Sequence, residues 1–265
     1  GWISAGPGTD LSGWSLLAGV ILTGPLVCGA SQIVNDWYDQ DVDALNEPDR
    51  PIPSGRVPGK TAFWFAVVWT AIAQTWAILL GPWVAAATGL GLVLAWAYSA
   101  PPLRLKMNGW WGNSAVAISY EGLAWITGAA IVIGGDLPAE PILLIALLYS
   151  IGAHGIMTLN DFKSVEGDLT MGIRSLPAQL GPTRAARVAC LFMLLPQLIV
   201  ILLLVRWSLM PFALTVSLVV AAQLLAMRKL LRDPKQFAPW YNATGVSLYV
   251  LGMMAVAIGL GGWLM

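Results

Sequence analysis

Apolar segments of about twenty residues recur from one end of this 265-residue chain to the other. A helix of that length crosses the hydrocarbon core of a bilayer, where each backbone hydrogen bond must be satisfied within the protein. Charged residues make up 11% of the chain, against about 25% in soluble domains. The sequence therefore predicts an all-α, polytopic bundle of eight membrane-spanning helices. The predicted spans cover residues 12–34, 61–80, 83–100, 113–133, 141–159, 183–205, 209–231 and 242–264.

An acidic stretch occurs twice in the chain, once in residues 35–43 and once in residues 160–168. Both copies read Asn-Asp-aromatic-x-(Asp or Ser)-x-x-x-Asp, and both are followed by an Arg-x-x-Pro segment, which begins at Arg50 and at Arg174. Nine of the 14 Asp and Glu residues lie in these copies or shortly after the first. The repeat predicts two related halves. Because membrane transporters are also built from repeats, it leaves enzyme and transporter open.

The spacing inside each copy predicts a metal site. Asn35, Asp39 and Asp43 are four residues apart, so a continuing helix would place them on one face. Asp161 lies seven residues before Asp168, on nearly the same face of its own helix. Mg²⁺ favours such oxygen ligands, usually one or two carboxylates together with water and phosphate oxygens. We expect two Mg²⁺ ions to hold a diphosphate between the copies. The candidate metal ligands are Asn35, Asp36, Asp39, Asp43, Asp161 and Asp168, and all of these except Asp36 are also candidate catalytic residues.

Cations and a tyrosine flank the two acidic copies. Arginine pairs bidentately with phosphate oxygens, and cations together with a metal stabilise the charge that develops on a leaving diphosphate. The alternative is a solvated loop in which acids and bases neutralise each other. The candidate diphosphate-binding residues are Arg50, Arg56, Tyr98, Arg104, Lys106, Lys163 and Arg174, with Ser99 and Asn113 as further candidates beside the same loop.

Two titratable residues lie inside predicted spans. His154 is the only histidine and precedes the second acidic copy by one to two helical turns. It is either a hydrogen-bonded interior residue or a contact to the acceptor substrate. Glu121 is an intramembrane acid, which is a functional-site candidate by default, although it can instead pair with another residue inside the bundle. Three glutamines in spans, Gln74, Gln197 and Gln223, are expected to form interhelical hydrogen bonds.

The basic residues predict the orientation of the bundle. Of the 14 Lys and Arg residues, all except Arg206 fall in loops on the same side as the acidic copies. The positive-inside rule places that side in the cytoplasm. The net charge is zero, so there is no electrostatic case for nucleic acid as a partner.

The acidic copies resemble the motifs of the UbiA superfamily of intramembrane prenyltransferases. Asn35-x-x-x-Asp39-x-x-x-Asp43 matches the first family motif. The second family motif is often Asp-x-x-x-Asp, whereas this chain has Ser164 before Asp168 and offers Asp161 one turn earlier.

Longer segments resemble the chlorophyll and bacteriochlorophyll synthase branch of that superfamily. These are residues 35–56, 98–106, 160–168 and 240–245, and residues 152–159 are more similar to the bacteriochlorophyll type. The resemblance covers nearly the whole chain. It implies a single transmembrane prenyltransferase domain over residues 1–265, with the acidic motif loops at 35–60 and 160–182. Members of the superfamily usually have nine spans, so we expect the first helix to be missing, with residues 1–6 similar to its end.

The resemblance also implies a reaction and a location. Geranylgeranyl or phytyl diphosphate would esterify the propionate of bacteriochlorophyllide, with Mg²⁺ as cofactor, in the inner or photosynthetic intracytoplasmic membrane. His154 and Glu121 would be contacts to the acceptor. The alternatives are a chlorophyll synthase, a prenyltransferase acting on a quinone precursor or haem, a repeat-built transporter, and a pigment-binding protein with an inactive site.

Overall fold

The computed structural model describes residues 1–6 and 13–264. Eight helices in these residues are long and apolar enough to cross a membrane, which confirms the predicted number. Residue 12, where the first predicted span begins, lies outside the described residues. The helices are α1 (Gly13–Tyr38), α2 (Gly59–Leu80), α3 (Pro82–Ser99), α4 (Gly109–Val132), α5 (Glu140–Lys163), α6 (Pro182–Arg206), α7 (Met210–Arg232) and α8 (Pro234–Trp263).

The helices form two groups, and α4 packs against both. Helices α1, α2 and α3 pack on one another, as do α5, α6, α7 and α8, while α4 contacts α3 on one side and α5 on the other. The largest apolar core lies in the second group, where Tyr149 and Tyr249 are almost fully buried. With its eight apolar spans, the chain is an integral membrane protein. Its first and second halves meet where α4 packs against α5.

Amide side chains within the spans join neighbouring helices, as the sequence predicted. Gln197 on α6 and Gln223 on α7 are fully buried and exchange two hydrogen bonds of 3.1 Å each. Gln74 on α2 donates to the carbonyl oxygen of Ala85 on α3 at 3.1 Å. A polar group in hydrocarbon must find its partner within the protein. Gln197 and Gln223 do so across a helix interface, whereas Gln74 bonds through its amide nitrogen and its Oε1 has no partner among the described residues.

The two acidic copies have the same local backbone. Helix α1 bends at Asp39 (φ −101°, ψ 5°) into the short helix Gln40–Asn46. Helix α5 ends in the 3₁₀ turn Asp161–Lys163 and bends at Ser164 (φ −114°, ψ 4°) into the short helix Val165–Thr170. Asp39 and Ser164 occupy equivalent positions, so the duplicated sequence gives a duplicated helix–bend–helix. Much of the two predicted loops is therefore helical.

Candidate active site

An elongated cavity of about 990 Å³ opens between α1, α3, α4 and α5. Along α4 it extends from Gly109 to Thr127, which is about 27 Å at 1.5 Å per residue. One end of the cavity is polar, and the remainder is lined mostly by small and apolar side chains. The polar end contains Asn35, Asp39, Tyr98, Lys106, Asn113, Asp161, Ser164 and Asp168. The apolar lining includes Val27, Ala87, Leu94, Ala95, Val116, Leu123 and Ala124.

The end of α1 forms one wall of the polar end. Asn35 donates from Nδ2 to Oδ2 of Asp39 at 3.0 Å and to Oγ of Ser99 at 3.1 Å. The other carboxylate oxygen of Asp39 accepts a hydrogen bond from Nζ of Lys106, which forms an ion pair with it. The Lys106 side chain is only 11% exposed and that of Asp39 21%, so this ion pair is largely shielded from water. The structure thus brings the side chains of Asn35 and Asp39 together, as their four-residue spacing predicted.

Apart from the exposed Asp41, the remaining acids of the first copy turn away from the cavity toward Arg50. Its Nη1 atom lies 3.2 Å from Asp36 and 3.0 Å from Asp43. Arg50 also pairs with Glu47, and that hydrogen bond raises the pKa of the Arg50 guanidinium above its usual value. Asp36 and Asp43 pair with Arg50 and are not among the residues that line the cavity. Their assignment as metal ligands stays a prediction, as does the assignment of Arg50 to the diphosphate.

The end of α5 forms the opposite wall, and its carboxylates have neutral partners. Asn113 on α4 donates from Nδ2 to Oδ2 of Asp161 at 3.0 Å. Ser164 donates to Oδ2 of Asp168 at 3.2 Å, and Asp168 is 7% exposed. Lys163 is exposed and influences Asp161 only as a more distant charge. In the described part of the chain no Lys or Arg forms an ion pair with Asp161 or Asp168.

Two loops close the polar end and are held together by backbone hydrogen bonds. The backbone N–H of Arg174 donates to the carbonyl of Met107 at 3.0 Å, and Gly109 donates back to Arg174 at 2.8 Å. Gly109 allows this close approach, since a Cβ there would lie 2.6 Å from the backbone nitrogen of Leu176. The arrangement fixes Lys106 over the cavity.

The remaining predicted cations lie outside the cavity lining. Arg56 donates to the backbone carbonyl of Asp49 and to Ser54, and the side chains of Lys163 and Arg174 are exposed. Arg104 is half-buried in a left-handed backbone conformation (φ 37°), and its Nε is buried without a partner among the described residues. Diphosphate binding by these four residues stays a prediction. Tyr98 does line the cavity, within electrostatic reach of Asp39, Asp161 and Asp168.

The two candidate acceptor contacts have different positions. His154 is 3% exposed, its Nδ1 lies 3.2 Å from Oγ of Ser114, and its ring stacks on Phe192 at 4.4 Å. It does not line the cavity. Glu121 does line the cavity, in the π-helical part of α4, Ile118–Leu123, at the depth of the apolar lining. The structure thus brings Glu121 to the cavity and places His154 among aromatic rings.

Several cavity-lining hydroxyl groups gave no signal in the sequence. Ser31, Thr88 and Ser119 line the cavity from three different helices. Isolated hydroxyl residues are common in membrane helices because they hydrogen-bond locally or to a neighbouring helix. Only the fold shows that these three share one space.

The polar end has the ligand chemistry of a hard divalent cation. Asn35 and Asp39 on one wall and Asp161 and Asp168 on the other supply only oxygen ligands. Across the described ranges 1–6 and 13–264, no three His, Cys, Asp or Glu side chains are grouped closely enough to hold a metal ion by themselves. Mg²⁺ takes one or two carboxylates and completes its shell with water and phosphate oxygens, so the four oxygen-bearing side chains fit this ion.

Residues 2–251 match the family model for the UbiA prenyltransferase family. The chain belongs to the UbiA prenyltransferase family. It is 54% identical over 250 residues to the bacteriochlorophyll synthase 33 kDa chain of Cereibacter sphaeroides, an alignment that covers 94% of this chain and 82% of the relative. It is 36% identical to the chloroplastic chlorophyll synthase of Avena sativa, over 90% of this chain and 65% of that one.

A solved UbiA structure has the same fold. A UbiA homologue from Archaeoglobus fulgidus, bound to DMAPP and Mg²⁺, superposes with a TM-score of 0.71 over 97% of this chain and 92% of that one, at 18% identity. The resemblance predicted from the acidic motifs is confirmed, as is its bacteriochlorophyll synthase branch, because the relatives of that branch share about half of their aligned residues with this chain.

Proposed function

We propose that this UbiA prenyltransferase esterifies the propionate of bacteriochlorophyllide with geranylgeranyl or phytyl diphosphate and releases diphosphate. The observation that carries the proposal is the shape and chemistry of the cavity. Oxygen ligands and Lys106 converge at one end, and mostly apolar lining follows along α4 from Ala115 to Thr127, about 18 Å. A molecule with an anionic diphosphate head and a long hydrocarbon tail has the same distribution of polarity.

The residues of the polar end act on the head group. Asn35, Asp39, Asp161 and Asp168 would hold two Mg²⁺ ions, the same metal that is bound to the Archaeoglobus fulgidus homologue. When bound, these ions would neutralise the diphosphate and assist its departure. Lys106 donates to a diphosphate oxygen, and Tyr98 is placed to donate a second hydrogen bond to the same group. The apolar lining holds the prenyl chain and excludes water from C1 as allylic cation character develops.

The bond changes need no strong base. A propionate is ionised near neutral pH, so one of its oxygens attacks C1 of the prenyl chain directly. The new C–O ester bond forms as the bond from C1 to the diphosphate oxygen breaks, and the electron pair leaves with diphosphate. The protein mainly has to orient the carboxylate and C1. Glu121 is the cavity-lining candidate for contact with the acceptor, and contact of His154 with the acceptor stays a prediction.

Sequence identity favours bacteriochlorophyllide over chlorophyllide as the acceptor. The chain is 54% identical to a bacteriochlorophyll synthase chain and 36% identical to a chlorophyll synthase. A chlorophyll synthase activity is therefore the second candidate. Membership of a prenyltransferase family, together with the position of the two acidic copies at the end of the bundle, argues against a transporter.

The distribution of cations supports an orientation in which the acidic motifs face the cytoplasm. Arg228, Lys229, Arg232 and Lys235 join the two acidic copies on one side, while Arg206 lies at the other end of α6. The positive-inside rule orients such a bundle with the basic side in the cytoplasm. Labelling of single cysteines introduced at residues 235 and 207 in intact cells tests this orientation.

Esterification in isolated membranes tests the proposed reaction. Membranes that contain the chain are incubated with bacteriochlorophyllide, geranylgeranyl diphosphate and Mg²⁺, beside a chlorophyllide reaction and one with a chelator. We expect esterified bacteriochlorophyllide, faster than the chlorophyllide ester, and none with the chelator. A faster chlorophyllide reaction would assign the chain to the second candidate, and no ester with either pigment would contradict the proposal.

A further inference from the structure

The carboxylates of the two acidic copies have partners of different charge. Three of the four acids of the first copy pair with a cation, since Lys106 pairs with Asp39 and Arg50 pairs with Asp36 and Asp43, while Asp41 is exposed. Asp161 and Asp168 in the second copy receive hydrogen bonds from the neutral side chains of Asn113 and Ser164. The sequences of the copies are similar, but their electrostatic environments are not.

We propose that the two copies bind divalent cations in a fixed order. The second copy holds a divalent cation without substrate, and the first copy holds one only after a diphosphate has drawn Lys106 away from Asp39. This inference rests on the proposed function, because it concerns the same metal ions and the same diphosphate.

Charge repulsion gives the physical reason at Asp39. The ammonium group of Lys106 hydrogen-bonds to one oxygen of Asp39 while the amide of Asn35 bonds to the other. A divalent cation at this carboxylate would lie next to an ammonium group in a largely buried place, where the two charges repel strongly. A diphosphate relieves the repulsion, because it supplies negative charge to both the ammonium group and the metal.

The second copy has no such obstacle. Asn113 and Ser164 use one carboxylate oxygen each and bring no positive charge, and both Asp161 and Asp168 line the cavity. Asn113 is 6% exposed and also lies 3.4 Å from Oγ1 of Thr158, which fixes its amide between α4 and α5. Asn113 is therefore a positioning residue for Asp161. Partners of this kind typically change metal affinity by about 10–100-fold when they are removed.

The experiment measures metal binding by the purified chain in lipid nanodiscs, with no prenyl diphosphate and no pigment. Mn²⁺ is the probe, and its electron paramagnetic resonance signal reports the free ion, from which the stoichiometry and Kd follow. We expect one Mn²⁺ per chain. Asp161→Asn, Asp168→Asn and Asn113→Leu should each weaken it at least about tenfold, while Asp39→Asn should keep a stoichiometry of one. Asp41→Asn is the matched control, since Asp41 is exposed and outside the cavity lining.

Lys106→Met provides the decisive variant. It removes the ammonium group from Asp39 and should raise the stoichiometry from one Mn²⁺ to two in the absence of diphosphate. The order is overturned if the unmodified chain binds two ions or none, if Asp39→Asn abolishes binding, or if Lys106→Met still binds one. Unchanged thermal unfolding of each variant shows that it is folded. The metal-binding measurement contains no pigment, so its result is independent of esterification. Ordered metal binding by a chain that does not esterify the pigment would contradict only the proposed function. Esterification by a chain that binds the metal ions without this order would contradict only the inference.

Discussion

Lys106 and Asp39 form an ion pair across 67 residues of sequence, from the loop after α3 to the end of α1. The pair closes the polar end of the cavity, at the place where the two acidic copies face each other. The ion pair holds the ammonium group of Lys106 at Asp39, so that this group is not free to bind a phosphate oxygen. The consequences of this arrangement can be measured.

Lys106→Met should lower the rate of esterification. Loss of one preorganised donor to a developing oxyanion typically lowers the rate by about 10²–10³-fold, so we expect a fall of that order in kcat/KM for the prenyl diphosphate. The measurement is the initial rate at increasing prenyl diphosphate concentration. Lys235→Met is the control, because Lys235 is exposed on α8, far along the chain from the cavity residues. A rate for Lys106→Met equal to that of the control would show that Lys106 does not contribute to the reaction.

Asp161→Asn should be rescued in part by Ser164→Asp. Ser164 stands where the second family motif often has Asp, and Asp161 provides a carboxylate one turn earlier. If Asp161 fulfils the role of that missing acid, then Asp161→Asn alone should lower Mg²⁺-dependent esterification by about 10²-fold. The Asp161→Asn/Ser164→Asp double variant should recover a large part of the rate and of the Mg²⁺ affinity. A double variant as slow as Asp161→Asn would mean that the two positions are not interchangeable.

Much of the fold follows from the sequence for one physical reason. A bilayer demands about twenty apolar residues for each crossing, so the number of spans is evident. The end of a helix is less evident when it leaves the apolar layer. Helix α8 begins at Pro234, eight residues before the predicted position 242, because Asp233 caps it through Gln236 and its first two turns are polar and aromatic.

The candidate site is less evident from sequence, because side-chain pairing across helices decides it. The four-residue spacing correctly brings Asn35 and Asp39 together. The same spacing also includes Asp43, but Arg50 draws that carboxylate out of the cavity. The partners Lys106 and Asn113 lie 67 and 48 residues from the acids they contact, a distance over which no periodic pattern gives information.

Gln197→Leu should destabilise the second group of helices. It leaves the buried amide of Gln223 without its two hydrogen bonds to Gln197, and such interhelical bonds contribute about 0.6–1.7 kcal/mol in membranes. We expect a loss of about 1–2 kcal/mol in the free energy of unfolding, measured by denaturation in mixed micelles. The Gln197→Leu/Gln223→Leu double variant, which has no unpaired amide, should be more stable than the single one. Equal stability of all three chains would show that the pair contributes nothing.

Gly155→Ala should disturb the contact between α5 and α6. A Cβ at residue 155 would lie 2.4 Å from the backbone oxygen of Ala189, so the two helices must separate. Overpacking of this kind costs about 1–3 kcal/mol, which thermal unfolding in detergent would detect. Gly262→Ala is the matched control on α8, where an added Cβ meets nothing within 4 Å. Similar unfolding temperatures for the two variants would contradict the close packing at Gly155.

One comparison of variants tests most directly whether the two acidic copies serve one reaction. Mg²⁺-dependent esterification of bacteriochlorophyllide is measured for the unmodified chain, for Asp39→Asn, for Asp168→Asn and for the exposed control Asp41→Asn. A shared site predicts that Asp39→Asn and Asp168→Asn each lower the rate by at least about 10²-fold, while Asp41→Asn stays within a few-fold of the unmodified chain. Full activity after loss of either Asp39 or Asp168 would contradict a site shared by both copies.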